Sequence, residues 1–161
     1  GSFECYLDDF MRAHRCYRKP VFVSIGMSKG FPREALRTAQ KTHGAILQCP
    51  SSYPAPVEQL NLRTLMKARE VLVCRFGLSD HSTCVEMGAM AVCAGAEVIE
   101  KHLRLATTLE TNPDYKHSLP PEAFTKYVSL IRIAELAMGD GNKRVMPCEE
   151  PYVRYQRTEK E

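Results

Sequence analysis

The chain has 161 residues, 44% of them hydrophobic and 25% charged, which fits one ordinary globular domain and excludes wholesale disorder. Lys and Arg number 22 against 19 Asp and Glu, and the +3 balance is scattered, so neither a nucleic-acid face nor, without an apolar run of about 18 residues, a membrane span is expected. A complete (β/α)8 barrel needs about 250 residues and rarely fewer than about 200, so a whole barrel in one chain of this length is excluded.

In chain order, Phe3, Leu7, Phe10, Met11 and His14 recur at helical spacing and predict an opening helix. Val21 to Gly26 is a short apolar strand ended by glycine. Pro32 opens a helix with Ala35, Leu36 and Ala39 on one face, and Gly44 stops it. Ala45 to Cys49 is the next strand, followed by a Ser/Pro loop from Pro50 to Pro56. Leu60, Leu62, Leu65 and Met66 mark a second helix. Val71-Leu72-Val73-Cys74 begins a third strand that stops before Arg75 or bends through to Leu78. Residues 84–94 form a helix closed by Gly95, and Glu97 to Glu100 form a fourth strand. A polar loop covers about 104–119. Pro120-Pro121 then opens a long amphipathic helix carrying Phe124, Val128, Ile131 and Leu136, with Gly139 and Gly141 as stops. Residues 148–161 read as a C-terminal tail, solvated or frayed from Arg154 onward.

The strand starts near 21, 45, 71 and 97 recur at intervals of 24, 26 and 26 residues. Such alternation, with continuous apolar strands, predicts an α/β fold of about four parallel βα units over residues 3–147. Gly1-Ser2 reads as an appended dipeptide and is left out of the fold. The seven cysteines are odd in number and show no C-x-x-C pair, so reduced, mostly buried thiols of a cytoplasmic protein are expected.

Each strand ends in a polar cluster: Ser24 with Gly26, then Cys49 to Tyr53, then Ser79-Asp80-His81, then Lys101-His102. In parallel α/β folds ligands gather at the carboxyl ends of strands, so these clusters predict a site with hydroxyls, two imidazoles, a carboxylate and an ammonium. His81 and His102 end consecutive strands and suit a divalent ion such as Mn²⁺ or Zn²⁺; the plain alternative is two hydrogen-bonded loop histidines. Ser24-Ile25-Gly26 and Ser79 suit a phosphate or carboxylate, or are ordinary turn and cap residues. Tyr53, Asp114 and Lys116 are placed to touch a polar substrate, or Asp114 and Lys116 are solvated loop charges. His14, His43 and His117 lack strand-end placement and read as surface or helix residues.

Several of these segments resemble a known family in order and spacing. Lys19 to Met27, Cys49 to Pro56 followed by Asn61-Leu62-Arg63, Gly77 to Ser82, Gly95 to Leu103 and, more loosely, Pro113 to Leu119 are similar to motifs of the sialic acid synthases (N-acetylneuraminate synthases). The resemblance covers about residues 19–147 and implies the fifth to eighth βα units of a TIM barrel. It implies a metal-dependent condensation, with Mn²⁺ or Mg²⁺, of phosphoenolpyruvate with an N-acetylated sugar such as N-acetylmannosamine, releasing phosphate. It also implies His81 and His102 as metal ligands, Ser24 and Ser79 at the phosphoenolpyruvate site, and Ser51, Tyr53 and Asp114 facing that ligand or the sugar. His81, His102, Tyr53 and Asp114 are the catalytic set so implied, while Glu100 and Lys101 are left without a role.

Some residues depart from the family pattern: Gln48 stands in place of His, Ile25 in place of Thr, and the contexts of Arg104-Leu105-Ala106 and Thr111-Asn112 are unusual. The first four βα units, with the family's lysine-bearing K-x-G-S-G strand, have no counterpart here. Two further expectations follow. A half-barrel exposes sheet edges and an apolar inner face, so a homodimer or larger assembly completing the barrel is expected. The chain is then an enzyme of this family, or a non-catalytic half-barrel that binds metal or phosphate ligands or serves as a subunit completed by another chain. A small flavodoxin-like phosphate-binding module shares the same alternation.

Overall fold

The computed structural model describes residues 2–156. Four parallel strands form one sheet in the order β1-β2-β3-β4: β1 (Phe22–Ser24), β2 (Ala45–Gln48), β3 (Arg75–Asp80) and β4 (Val98–Lys101). Helices α1 (Asp8–His14), α2 (Arg33–Lys41), α3 (Arg63–Val71), α4 (Met87–Cys93) and α5 (Pro121–Met138) precede, alternate with and follow them. Sequential strands are neighbours throughout, as crossover helices between parallel strands require.

The sheet has two unlike faces because successive side chains point to opposite sides. Val23, Ile25, Ile46, Phe76, Leu78 and Ile99 face the helices, where they pack with Ala35, Ala39, Leu65, Ala68, Met87 and Ala91 in one core. The other face carries Ser24, Leu47, Gly77, Ser79 and Glu100, whose register runs Ser24 beside Leu47, Leu47 beside Gly77, and Ser79 beside Glu100. That face is less bare than a half-barrel predicts: Ala45 and Leu47 are buried, whereas Phe22 at the β1 edge is half exposed.

The third strand lies later than its apolar run suggests. α3 continues to Val71, Val73 is 90% exposed, and the strand begins at Arg75, paired with Ala45. The β-branched run forms the helix end and turn, while the strand itself is carried by Phe76-Gly77-Leu78-Ser79-Asp80. Gly77 is required there, since a Cβ would stand 2.1 Å from the Val98 carbonyl oxygen of β4.

Other differences are local. α1 is shorter than expected and buries Met11, while Phe3, Leu7 and Phe10 stay exposed. On α5 the buried side chains are Tyr127 and Ala134, and Leu136 is 85% exposed. Ser2 belongs to the fold: it is buried, and its hydroxyl accepts the Gly26 amide at 2.9 Å. All seven cysteines are free, but only Cys5 and Cys49 are buried; Cys16, Cys93 and Cys148 sit exposed at a loop, a helix end and the C-terminal segment. Pro147–Tyr155 forms an exposed 3₁₀ segment. Residues 157–161 of the expected tail, and Gly1, lie outside the described residues.

Among the described residues no helix is long and apolar enough to cross a membrane.

Candidate active site

Parallel register sets the site. Asp80 pairs with Lys101 at the last rung of β3 and β4, so His81 and His102 emerge side by side just beyond it. Their ring centroids are 5.2 Å apart. The loop after β2 closes over them: the Ala55 amide donates to the His81 carbonyl at 3.0 Å, and the Tyr53 ring stands 4.4 Å from that of His81. The Tyr53–Pro54 peptide is cis.

A third imidazole completes the cluster. His117 is 1% exposed, and its ring lies 4.5 Å from His102, 5.0 Å from Tyr53 and 5.7 Å from His81. The surface or helix reading of His117 is therefore corrected, whereas His43 is exposed and His14 is half-buried on α1. The physical reason is the backbone around it. Leu119 pairs with Leu103 in a parallel bridge that extends β4, with Leu119 N–H on the His102 carbonyl and Arg104 N–H on the Leu119 carbonyl. Arg104 also donates to the Ser118 and Tyr115 carbonyls and stacks over the Tyr115 ring at 4.4 Å. So anchored, the polar loop makes a turn at 114–118, closed by Ser118 N–H on the Asp114 carbonyl, which brings Asp114 and His117 to one side.

Asp114 lies between two imidazoles. One carboxylate oxygen is 3.7 Å from His102 Nδ1 and the other 3.5 Å from His117 Nε2. His102, Asp114 and His117 each offer one ligand atom, all within 4.8 Å of one another. Neither ring nitrogen of buried His117 has a hydrogen-bond partner. Burial, with the neighbouring His102 charge, holds the His117 pKa below the ordinary imidazole value despite Asp114. A neutral imidazole with idle nitrogens beside a second imidazole and a carboxylate suits a divalent transition ion. A hollow of about 170 Å³ adjoins the group, lined in part by His102, Arg104, Asn112 and Asp114.

The remaining expected residues divide. Ser51 donates to the Cys49 carbonyl at 3.3 Å, and Cys49 Sγ is 3.9 Å from His81 Nδ1, so this loop joins the cluster. Burial pushes the Cys49 thiol up, but hydrogen bonds from His81, Ser2 and Ser79 outweigh it and bring the pKa to about 7. Gly26 is needed where this loop passes β1, for a Cβ there would meet Ser51 Oγ at 2.1 Å. Ser79 donates to Glu100 at 2.6 Å on the same face. Ser24 ends β1, separated from β3 by the width of β2.

Two corrections concern expected site groups. The Gly26 amide is already bound to Ser2 Oγ and the Ile25 amide to the Leu47 carbonyl, so this backbone is not free for an anion. The expected ammonium and carboxylate, Lys101 and Asp80, point away from the imidazoles. They are paired at 3.4 Å on the helix face, where Tyr127 donates to Asp80 at 3.0 Å. The period of two puts residues 80 and 101 on the opposite side from 81 and 102. Lys116 is exposed.

A parallel βα sheet with its polar side chains converging at the strand ends is the architecture of TIM-barrel enzymes. The chain belongs to the NeuB family, whose model matches residues 1–143. It is 35% identical over 145 residues to pseudaminic acid synthase of Campylobacter jejuni, covering 88% of this chain and 42% of that protein. It is also 35% identical over 135 residues to human N-acetylneuraminate-9-phosphate synthase, covering 81% of this chain and 37% of that protein. The crystal structure of N-acetylneuraminic acid synthetase from Leptospira borgpetersenii superposes with a TM-score of 0.84 at 26% identity, covering 96% of this chain and 55% of that one. The chain thus spans about two-fifths of the length of the curated relatives it matches.

Proposed function

We propose that this chain carries the metal-binding half of a nonulosonic acid synthase site. The reaction is the condensation of phosphoenolpyruvate with the aldehyde of an N-acetylated sugar such as N-acetylmannosamine. The enol carbon of phosphoenolpyruvate forms the new C–C bond, water adds to the resulting cationic carbon, and phosphate leaves with C–O cleavage. The convergence of His81, His102, Tyr53 and Asp114 beside Ser51 and Ser79, in a member of the NeuB family, carries this reading.

In this reading His81 and His102 hold a divalent ion, Mn²⁺ or Mg²⁺. When bound, it supplies Lewis acidity toward the aldehyde oxygen. Ser24 and Ser79 donate to the anionic oxygens of phosphoenolpyruvate, the Ser79 hydroxyl turning from its present acceptor Glu100. Ser51 and Tyr53 close the site from the β2 side. Asp114, 62% exposed, accepts from a sugar hydroxyl or from the water that adds to the cationic carbon. Phosphate release from phosphoenolpyruvate plus N-acetylmannosamine with Mn²⁺, lost on His102→Ala, is the expected result. No turnover in wild type would remove catalysis by this chain alone and leave its family membership intact.

A second reading, a subunit completed by another chain, is favoured by the open sheet: among the described residues β1, and β4 apart from the Leu103–Leu119 bridge at its end, pair on one side only. A homodimer or larger assembly is then expected in light scattering after size exclusion, and a clean monomer would count against it.

A further inference from the structure

We propose that His117 is a metal ligand, forming with His102 and Asp114 a two-histidine, one-carboxylate face that tunes the site toward transition ions and away from Mg²⁺. This rests on the reading of the site as a divalent-metal centre and extends the strand-end pair by two loop residues.

Three observations support it. First, the donor atoms already converge. Ligands held about 2.1 Å from one ion lie roughly 3.0–3.4 Å apart at octahedral or tetrahedral angles. The three donor atoms, one per residue, lie within 4.8 Å of one another, with one Asp114 oxygen 3.7 Å from His102 and the other 3.5 Å from His117, so side-chain adjustments of about 1.5 Å or less reach this spacing. Second, His117 is 1% exposed with both ring nitrogens idle. A buried polar group without a partner is costly, so its persistence calls for a ligand. Third, the loop is held by backbone and not by the imidazole. The Leu103–Leu119 bridge, Arg104 on the Ser118 and Tyr115 carbonyls, and Ser118 N–H on the Asp114 carbonyl place the ring without using its nitrogens. A scaffold that fixes a side chain and leaves its donor free is what a preorganised ligand requires.

The donor set also sets selectivity. Mg²⁺ prefers oxygen ligands and retains several waters. Each added imidazole favours Co²⁺ or Zn²⁺ most strongly, with Mn²⁺ lowest of the transition ions but above Mg²⁺. His81 stands alongside, its ring 5.2 Å from that of His102, but the converging donor group is His102, Asp114 and His117, two imidazoles and one carboxylate.

Calorimetric titration of the chain with Mn²⁺, Co²⁺ and Mg²⁺ tests this without turnover. His117→Phe keeps an aromatic ring in contact with Tyr53 and His102 but has no nitrogen. It should weaken Mn²⁺ and Co²⁺ binding at least tenfold and Mg²⁺ binding less than threefold. Co²⁺ and Mn²⁺ affinities within threefold of wild type would overturn the assignment while leaving the metal centre in place. If His117→Phe does not fold, wild-type chain labelled with ¹⁵N-histidine decides. On adding Zn²⁺, a His117 ring nitrogen should move to the metal-bound range, and an unmoved His117 with a shifted His102 would overturn the proposal. Absence of any metal binding by wild type would overturn it together with the metal reading of the site.

Discussion

Two buried polar groups stand back to back at the ends of β3 and β4, one residue apart along each strand. On the helix face, Asp80, Lys101 and Tyr127 are closed on themselves: Lys101 donates to the Asp80 and Ser82 carbonyls and pairs with the Asp80 carboxylate, while the Ser82 amide and the Tyr127 hydroxyl fill that carboxylate's oxygens. On the inner face, His81, His102 and His117 crowd together, and neither ring nitrogen of His117 makes a hydrogen bond, Asp114 standing 3.5 Å from Nε2. Burial is alike, with Asp80 at 0% and His117 at 1%. The difference is satisfaction. A polar group whose partners are all within the chain holds the fold, whereas one that lacks them is poised for something outside it.

The largest expected effect follows from the closed group. Asp80→Ala leaves the Lys101 ammonium buried with only carbonyl oxygens, and breaking a buried pair from one side costs about 3–5 kcal/mol. Urea denaturation of the metal-free chain should show that loss. A loss under about 1 kcal/mol would mean that Lys101 finds water, and the helix-face group would then no longer differ from the imidazoles.

This division was only half visible in the amino-acid sequence. The βα alternation, the parallel sheet and the pairing of His81 with His102 were legible because apolar periodicity and strand ends are local properties. The period of two puts residues 80 and 101 opposite 81 and 102 wherever β3 begins, but what each face meets is a tertiary property. The Val71–Cys74 run drew attention four residues too early. Asp80 and Lys101 meet Tyr127, a residue 47 positions from Asp80 that no spacing rule links to it. His117 was missed for a related reason. Its place depends on the Leu103–Leu119 bridge, a tertiary pairing across a polar loop. The one local signal was the Asp114-x-x-His117 spacing, which a single helical turn converts into adjacent ligands.

The open group predicts the opposite sign of effect. His117→Leu removes an imidazole whose two nitrogens are buried without partners, a burden of about 1–3 kcal/mol, and substitutes an apolar side chain of similar size. Metal-free, the variant should be more stable than wild type by about 1 kcal/mol. At a Mn²⁺ concentration 100 times the wild-type dissociation constant that advantage should be cancelled or slightly reversed, because wild type gains about 2.7 kcal/mol from binding and a variant binding tenfold more weakly only about 1.4 kcal/mol. Equal loss of stability with and without Mn²⁺ would make His117 an ordinary packing residue, no different in kind from Tyr127.

The smallest expected effect is the pH dependence of the closed group above pH 8. Burial, then the adjacent Asp80 charge and hydrogen bond, raise the Tyr127 pKa far above its ordinary value of 10.0. A group whose folded pKa is raised contributes stability that is complete below the unfolded pKa and declines above it, because the unfolded chain releases the proton first. The loss attributable to Tyr127 therefore starts near pH 10 and reaches about 0.8 kcal/mol by pH 10.5. Lys101 acts in the other direction: burial lowers its pKa, so the folded chain releases that proton first and gains stability as pH rises. Lys101 is present in both wild type and Tyr127→Phe, so the change in their stability difference between pH 8 and pH 10.5 reads the phenol together with its coupling to Lys101 through Asp80. Tyr127→Phe should be less stable at pH 8, having lost a hydrogen bond to a carboxylate, and should recover about 0.8 kcal/mol of that deficit by pH 10.5. A deficit constant across this range would mean that the phenol ionises as readily in the fold as out of it, and that water reaches the Asp80 carboxylate from the helix side.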